Sequence, residues 1–190
     1  MALRWAYTRQ DGGVDIVQAM RKEDLARVIG KTDQFGNVTL SDEDYRAFVY
    51  SRSIPDTATN VIELPEDWTE PPREHRNAWT IANGVVTVDP VRKSELLVPL
   101  IKEEAQRRII ALTGQSDLIS SMIKQSNANM RATELTDKRV SGSTLTAQEE
   151  SEAAALRGLA EKIKAVRAAS NVLEQSPPDD YADNKYWPGG

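Results

Sequence analysis

Proline is distributed so unevenly along this chain that it determines where long helices can form. Between residues 94 and 174 the only proline is Pro99, and the other eight of the nine prolines lie outside this stretch. Proline lacks a backbone N–H and clashes with the preceding helical turn, so a long stretch with almost none favours helix. We therefore expect a mainly helical segment here, with shorter elements before it.

Two long helices are predicted within this segment. The dipeptide Asp89-Pro90 can cap a first turn, but Pro99 is expected to begin or kink the main first helix. That helix extends to about Asp137, with a break at Gly114. Residues 146–149 have the sequence of a capping box, which predicts the start of the second helix. Because a polar loop joins the two helices, we expect them to pack as an antiparallel hairpin.

The apolar residues of the second helix recur in a coiled-coil pattern. Their spacing alternates between three and four residues, with one polar position, as in a heptad repeat. The pattern leaves two interpretations open: an interface with another chain, or an ordinary pair of helices within one chain. This seam consists of Leu156, Leu159, Ile163, Val166, Ser170 and Leu173.

The segments on either side of the helices predict different structures. In residues 1–90, turn signals at Asp11-Gly12-Gly13 and Asn83-Gly84 each separate two strand-like runs, which predicts two β-hairpins. Residues 176–190 hold three prolines and two closing glycines, which predicts an extended tail. The predicted fold class is therefore α+β: a small mixed α/β domain over 1–90, a long coiled-coil-like helical hairpin over 91–175 and an extended tail over 176–190.

Three aromatic residues stand out in the predicted tail, namely Tyr181, Tyr186 and Trp187. Large aromatic side chains on a peptide-like segment are typical anchors for grooves on other elements. We expect this tail to dock on an ordered surface, either of this chain or of a neighbouring one.

Composition limits the classes of function. Hydrophobic residues make up 39% of the chain, which is low for a compact domain, so we expect either a long, thin shape or a homo-oligomer that completes its core between subunits. The net charge of -5 argues against a nucleic-acid partner. No stretch approaches the ~20 apolar residues of a membrane span, so no membrane partner is expected.

The sequence contains no recognisable pattern for catalysis. It has no cysteine, and its one histidine, His75, has no nucleophile or metal-ligand pattern beside it. The Gly12-Gly13 pair lacks the rest of a phosphate-binding loop. We therefore predict a protein that is not an enzyme, with no catalytic, cofactor-binding or metal-binding residues.

Two polar clusters stand out in the first predicted helix. Residues 124–129 either face solvent or form a buried layer of amides that fixes helix register. Arg107 and Arg108 follow Glu103 and Glu104 by four residues, a spacing that favours solvated ion pairs on the helix surface.

Several segments of residues 61–190 resemble tail proteins of tailed bacteriophages and related prophage proteins. The first is a hairpin, Arg76-Asn77-Ala78-Trp79-Thr80-Ile81, then Asn83-Gly84 and residues 85–89, which in those proteins precedes a helical segment. Residues 104–114, 124–127 and 164–171 are similar to the helices of such proteins.

The resemblance implies a structural component of the virion, in the tail or tail-fibre attachment region, that assembles in the host cytoplasm. Other tail proteins and sister copies are the implied partners. The alternative is a tail or tail-fibre assembly chaperone that does not stay in the particle. Under either interpretation the expected partner-binding residues are Leu156, Leu159, Ile163, Val166, Tyr181, Tyr186 and Trp187.

Overall fold

The chain combines helices with two small antiparallel sheets. The computed structural model describes residues 3–189, with 56% of the chain in helices and 13% in strands. The chain divides into two compact units, with the boundary between Lys93 and Ser94. The sequence placed the boundary at residue 90 and treated the tail separately, whereas here the tail lies within the second unit.

The first unit is built on a three-stranded sheet. Strands β1 (Arg4–Thr8), β2 (Val14–Gln18) and β3 (Thr59–Glu63) pair in the order β2-β1-β3, and both pairings are antiparallel. Successive side chains of a strand point to opposite faces of the sheet, so neighbouring residues of β1 pack into different apolar clusters. Ala6 is buried in one cluster, while Trp5 packs against another.

Each face of this sheet has its own apolar cluster. On one side lie helices α1 (Lys22–Val28) and α2 (Asp42–Ser53), which supply Leu25, Tyr45 and Val49. The cluster on the other face includes side chains from the hairpin around Asn83-Gly84. Its buried members are Ala6, Val14, Leu64, Trp79 and Val86.

The Asn83-Gly84 hairpin forms as predicted. Strands β4 (Trp79–Ala82) and β5 (Val85–Val88) pair antiparallel, with Ala82 opposite Val85. Asn83 and Gly84 have φ of 53° and 76°, the left-handed conformation that a tight two-residue turn needs. The predicted hairpin between β1 and β2 is confirmed as well.

Three long helices follow the β4–β5 hairpin, where the sequence predicted two with a break in the first. They are α3 (Pro90–Thr113), α4 (Leu118–Val140) and α5 (Ala147–Gln175). The break predicted at Gly114 is confirmed, with a φ of 68° at that residue, whereas the predicted long hairpin and coiled coil are not confirmed. The carboxylate of Asp117 then caps α4 by accepting a hydrogen bond from the Ser120 N–H at 2.9 Å.

The start of α3 confirms the predicted cap at Asp89-Pro90 but not a start at Pro99. The helix begins at Pro90 and continues through Pro99, which was expected to begin or kink it. The carboxylate of Asp89 accepts hydrogen bonds from the N–H groups of Val91 and Arg92, at 2.8 and 3.1 Å. This cap, together with proline's tolerance of the first helical position, accounts for the earlier start.

Candidate partner-binding surfaces

Helices α4 and α5 run in opposite directions along each other, joined by the loop of residues 141–146. Ion pairs hold the end near the loop: Lys138 bonds Glu149 at 2.7 Å, and Arg139 pairs with Glu150. Further along, Arg131 makes two bonds to Glu152, at 2.9 and 3.1 Å. These ion pairs link the two helices near the loop, while α4 buries only Ser121 and Leu135 along its length.

The loop end of this pair is further ordered by the predicted capping box. The Thr146 hydroxyl accepts a hydrogen bond from the Glu149 N–H, and the Glu149 carboxylate accepts one from the Thr146 N–H at 2.8 Å. Hydrogen bonds from Lys138 and then from Thr146 lower the pKa of Glu149 to about 2. One carboxylate therefore both caps α5 and ties it to α4.

An acid-sensitive junction follows from this contact. The folded state lowers the pKa of Glu149 from an ordinary value of 4.5, so its stabilisation is complete above that value and is lost as the pH falls towards 2. We expect Glu149→Gln to lower stability at neutral pH and to flatten the decline between these limits, measured as the urea midpoint against pH. Glu161→Gln, which removes an exposed carboxylate of the same helix, is the control. Equal slopes for both variants would contradict the assignment.

A groove of about 390 Å³ opens between α4 and α5. Its floor is apolar, with small residues beside larger ones, and its rim is polar. Leu156, Leu159 and Ile163, three of the residues predicted to bind a partner, line it. Leu156 and Leu159 are half-buried, so the chain's own described residues leave them partly uncovered.

The fourth seam residue lies elsewhere. Val166 is 2% exposed and belongs to a separate cluster that α3, α5 and the tail build together. The predicted seam is therefore divided along α5 between the groove and this core. The buried members of the core formed by α3, α5 and the tail are Ile101, Ala105, Val166, Leu173 and Trp187.

The C-terminal tail folds back onto these helices. Trp187 is 4% exposed, and its indole N–H donates a hydrogen bond to the Tyr181 carbonyl at 2.7 Å. Tyr181 and Tyr186, both half-buried, pack against the same cluster. The prediction of an extended tail is wrong in this part, because residues Asn184–Tyr186 form a short 3₁₀ helix. Its cap, Asp183, and the burial of Trp187 offset the cost of ordering a proline-rich segment.

Arg108 holds the tail in place, a role that the sequence did not indicate. Its guanidinium lies 5.0 Å from the ring centre of Trp187 and donates hydrogen bonds to the Ala182 carbonyl and the Asn184 side chain, at 3.0 and 2.9 Å. It also bonds Glu104 at 2.7 Å. Hydrogen bonds from Arg107 and then Arg108 lower the pKa of Glu104, against the opposing effect of burial. The predicted surface ion pair is thus partly buried beneath the tail.

The polar run at residues 124–129 mostly faces solvent. Lys124, Ser126, Asn127 and Asn129 are exposed, and only Gln125 among the polar residues is half-buried. Its amide donates a weak hydrogen bond to the Ser121 carbonyl at 3.4 Å. Of the two interpretations of this run, the structure therefore favours exposure to solvent, and only the Gln125 amide is partly buried, near the break between α3 and α4.

A second open surface lies along the first half of α4. Several large apolar side chains there are 41% to 70% exposed, a density unusual for one face of a helix. They are Leu118, Ile119, Met122, Ile123 and Met130. Members of this set are separated by three, four or seven residues, spacings that share a face of the helix, so they form a stripe rather than scattered positions.

Comparison with other proteins supplies no family for this arrangement. No protein-family model, no curated protein and no solved structure matches the chain. None of the helices within residues 3–189 is long and apolar enough to cross a bilayer. Over the same residues, no group of three or more His, Asp or Glu side chains is placed to hold a metal ion.

Proposed function

We propose that this chain is a structural component of a tailed-phage virion, in the tail or tail-fibre attachment region, that acts by binding proteins rather than by catalysis. The resemblance of residues 61–190 to tail proteins supports the proposed place of the chain in a phage tail. The observation that carries the binding role is the groove between α4 and α5, where Leu156 and Leu159 remain partly uncovered.

The packing of α4 favours a partner on energetic grounds. A helix in a globular protein gains most of its stability from burying an apolar face. α4 runs from Leu118 to Val140 but buries only Ser121 and Leu135. Covering a partly exposed side chain of the groove, such as Leu156 on the facing helix α5, adds about 25 cal/mol of stabilisation for each Å² of apolar surface removed from water. Another protein, or sister copies, can supply that cover in an assembled tail.

An assembly chaperone is the second candidate, and the stripe on α4 is the observation that favours it. Met122 and Met130 are 59% and 57% exposed. Methionine is unbranched and adaptable, and it recurs on surfaces that bind several partners in turn. A chaperone with such a surface leaves before the particle is complete.

Quantitative mass spectrometry of purified particles separates the two roles. The particles come from the host that carries the gene, and the known major tail protein serves as the internal standard. Recovery in a fixed ratio to that standard is the result expected for a structural component. Presence in the lysate with absence from the particle would assign the chaperone role, and absence from every phage assembly fraction would overturn both.

A further inference from the structure

The charges around the groove between α4 and α5 all have one sign. Four cationic side chains line it, and none of its lining residues is aspartate or glutamate. The chain as a whole carries a net charge of -5, so this is a local excess of positive charge on an acidic protein. The four are Arg139, Arg157, Lys164 and Arg167.

Three of these cations lack a carboxylate partner among the residues that the structure describes. Arg139 pairs with Glu150, and Arg167 reaches only the Gln125 side-chain oxygen, at 3.4 Å. Arg157 and Lys164 make no ion pair with any residue in 3–189. They are seven residues apart on α5, about 10 Å along the helix axis, and so lie on one edge of the groove. This edge can bind carboxylates spaced two helical turns apart.

The lining of the groove has the length and composition to receive a helix. Small side chains at Ala132, Ala153 and Ala160 allow a third backbone to approach, and Leu156 and Ile163 supply apolar contact. The α4 residues that line it run from 125 to 139. That length is about 21 Å at 1.5 Å per residue, or roughly four helical turns. An amphipathic helix binds such grooves through apolar residues at spacings of three and four.

A second copy of this chain fits the groove poorly. A symmetric pair presents the same patch on both subunits, so two grooves face to face would bring eight cations together with no lining carboxylate between them. Like charges placed opposite each other disfavour an interface. The α5 carboxylates Glu149, Glu150 and Glu152 cannot compensate, because they already pair with α4 of their own chain.

We infer that the groove between α4 and α5 binds an amphipathic helix of another protein, with an apolar stripe flanked by glutamates or aspartates. The inference rests on the proposed function only in that the partner is a protein. Leucines or alanines of that helix fill the floor between Leu156 and Ile163. Its acidic residues pair with Arg157 and Lys164, which select it over helices with basic flanks.

Two designed peptides test this selection on the full-length chain. Each is a fluorescently labelled helix of about three heptads with leucine at a and d. One has glutamate at e and g, and the other has lysine there. Like charges at these positions keep each peptide from pairing with itself. We expect the glutamate peptide to bind at least about tenfold more tightly in fluorescence anisotropy, with affinity falling as salt rises.

Charge reversal within the groove provides the matched variant. We expect Arg157→Glu with Lys164→Glu to invert the preference between the peptides. Lys124→Glu with Lys162→Glu makes the same change in charge at exposed positions outside the groove, and should leave the preference intact. All four positions are exposed, and circular dichroism is used to check that both variants are folded.

The opposing outcomes are distinct. Equal binding of both peptides, no binding of either, or the same response in the groove and control variants would overturn the inference. So would a wild-type dimer in light scattering that only the groove variant dissociates, because the second copy would then be the occupant. Failure of the virion proposal is seen separately, as absence of the chain from the particles while the peptide preference persists.

Discussion

Replacing Trp187 with alanine is expected to lower the free energy of unfolding of the helical unit by about 3–5 kcal/mol. The side chain is 4% exposed, contacts the cluster formed by α3 and α5, and is covered by Arg108. Its removal leaves a cavity and also frees the Tyr181 carbonyl from its indole N–H. A domain is stable by only about 5–15 kcal/mol in total, so the loss is a large fraction. Urea unfolding followed by far-ultraviolet circular dichroism measures it.

Two further variants show whether the tail contact is the cause. Pro188→Ala changes the next residue, which is exposed, and should shift the urea midpoint very little. Arg108→Met keeps an unbranched side chain but removes the cation over the ring and the hydrogen bonds to Ala182 and Asn184. We expect the urea midpoint of Arg108→Met to lie between the midpoints of Trp187→Ala and Pro188→Ala. A Trp187→Ala protein as stable as Pro188→Ala would show that the tail does not pack on these helices.

The second large effect is expected in the first unit. Trp79 is 1% exposed at the centre of the cluster between the three-stranded sheet and the β4–β5 hairpin. Its indole N–H donates a hydrogen bond to the Pro72 carbonyl at 3.3 Å. Trp79→Ala should therefore cost about 3–5 kcal/mol, and hydrogen exchange of β1, β4 and β5 should accelerate.

Trp68 provides a control of the same residue type. It is half-buried and packs at the edge of the same cluster, with Arg4 lying 5.7 Å from its ring centre. We expect Trp68→Ala to destabilise the unit by clearly less than Trp79→Ala. Equal losses for the two variants would mean that the cluster is not centred on Trp79.

Elements with a strong local signal were predictable from the sequence. Asn83-Gly84 specifies a tight turn through backbone conformation alone, and the capping box at Thr146 specifies a helix start through two hydrogen bonds. Neither depends on distant contacts. The start of α3 was predicted only in part, because two local signals compete there and the main helix was expected to begin or kink at Pro99. The cap supplied by Asp89 prevails over Pro99, which the helix accommodates.

The position of the tail was not predictable in the same way. Arg108 and its tail partners are more than seventy residues apart in sequence. A local pattern at Arg108 indicates only an ion pair with Glu104, which does form. The tail's contact surface depends on how α3 and α5 pack, and residues 176–190 carry no periodicity that reports on it.

The seam of α5 shows the same limit. Its heptad spacing predicts one continuous apolar stripe, but α5 is longer than α4 and has different neighbours along its length. Val166 therefore lies in the core beneath the tail, whereas Leu156 and Leu159 line the groove. Spacing identifies which residues share a face of a helix, and only tertiary structure determines what covers them.

Cysteine labelling in assembled particles tests most directly the claim that a partner covers the groove. The chain has no cysteine of its own, so each introduced thiol is labelled alone. Ala160→Cys places a thiol in the groove, and Ala154→Cys places one at an exposed position of α5 outside it. We predict that a maleimide modifies both thiols in the isolated chain, and that only the thiol at position 160 becomes protected in the particle. Equal modification of the two positions in the particle would contradict the account.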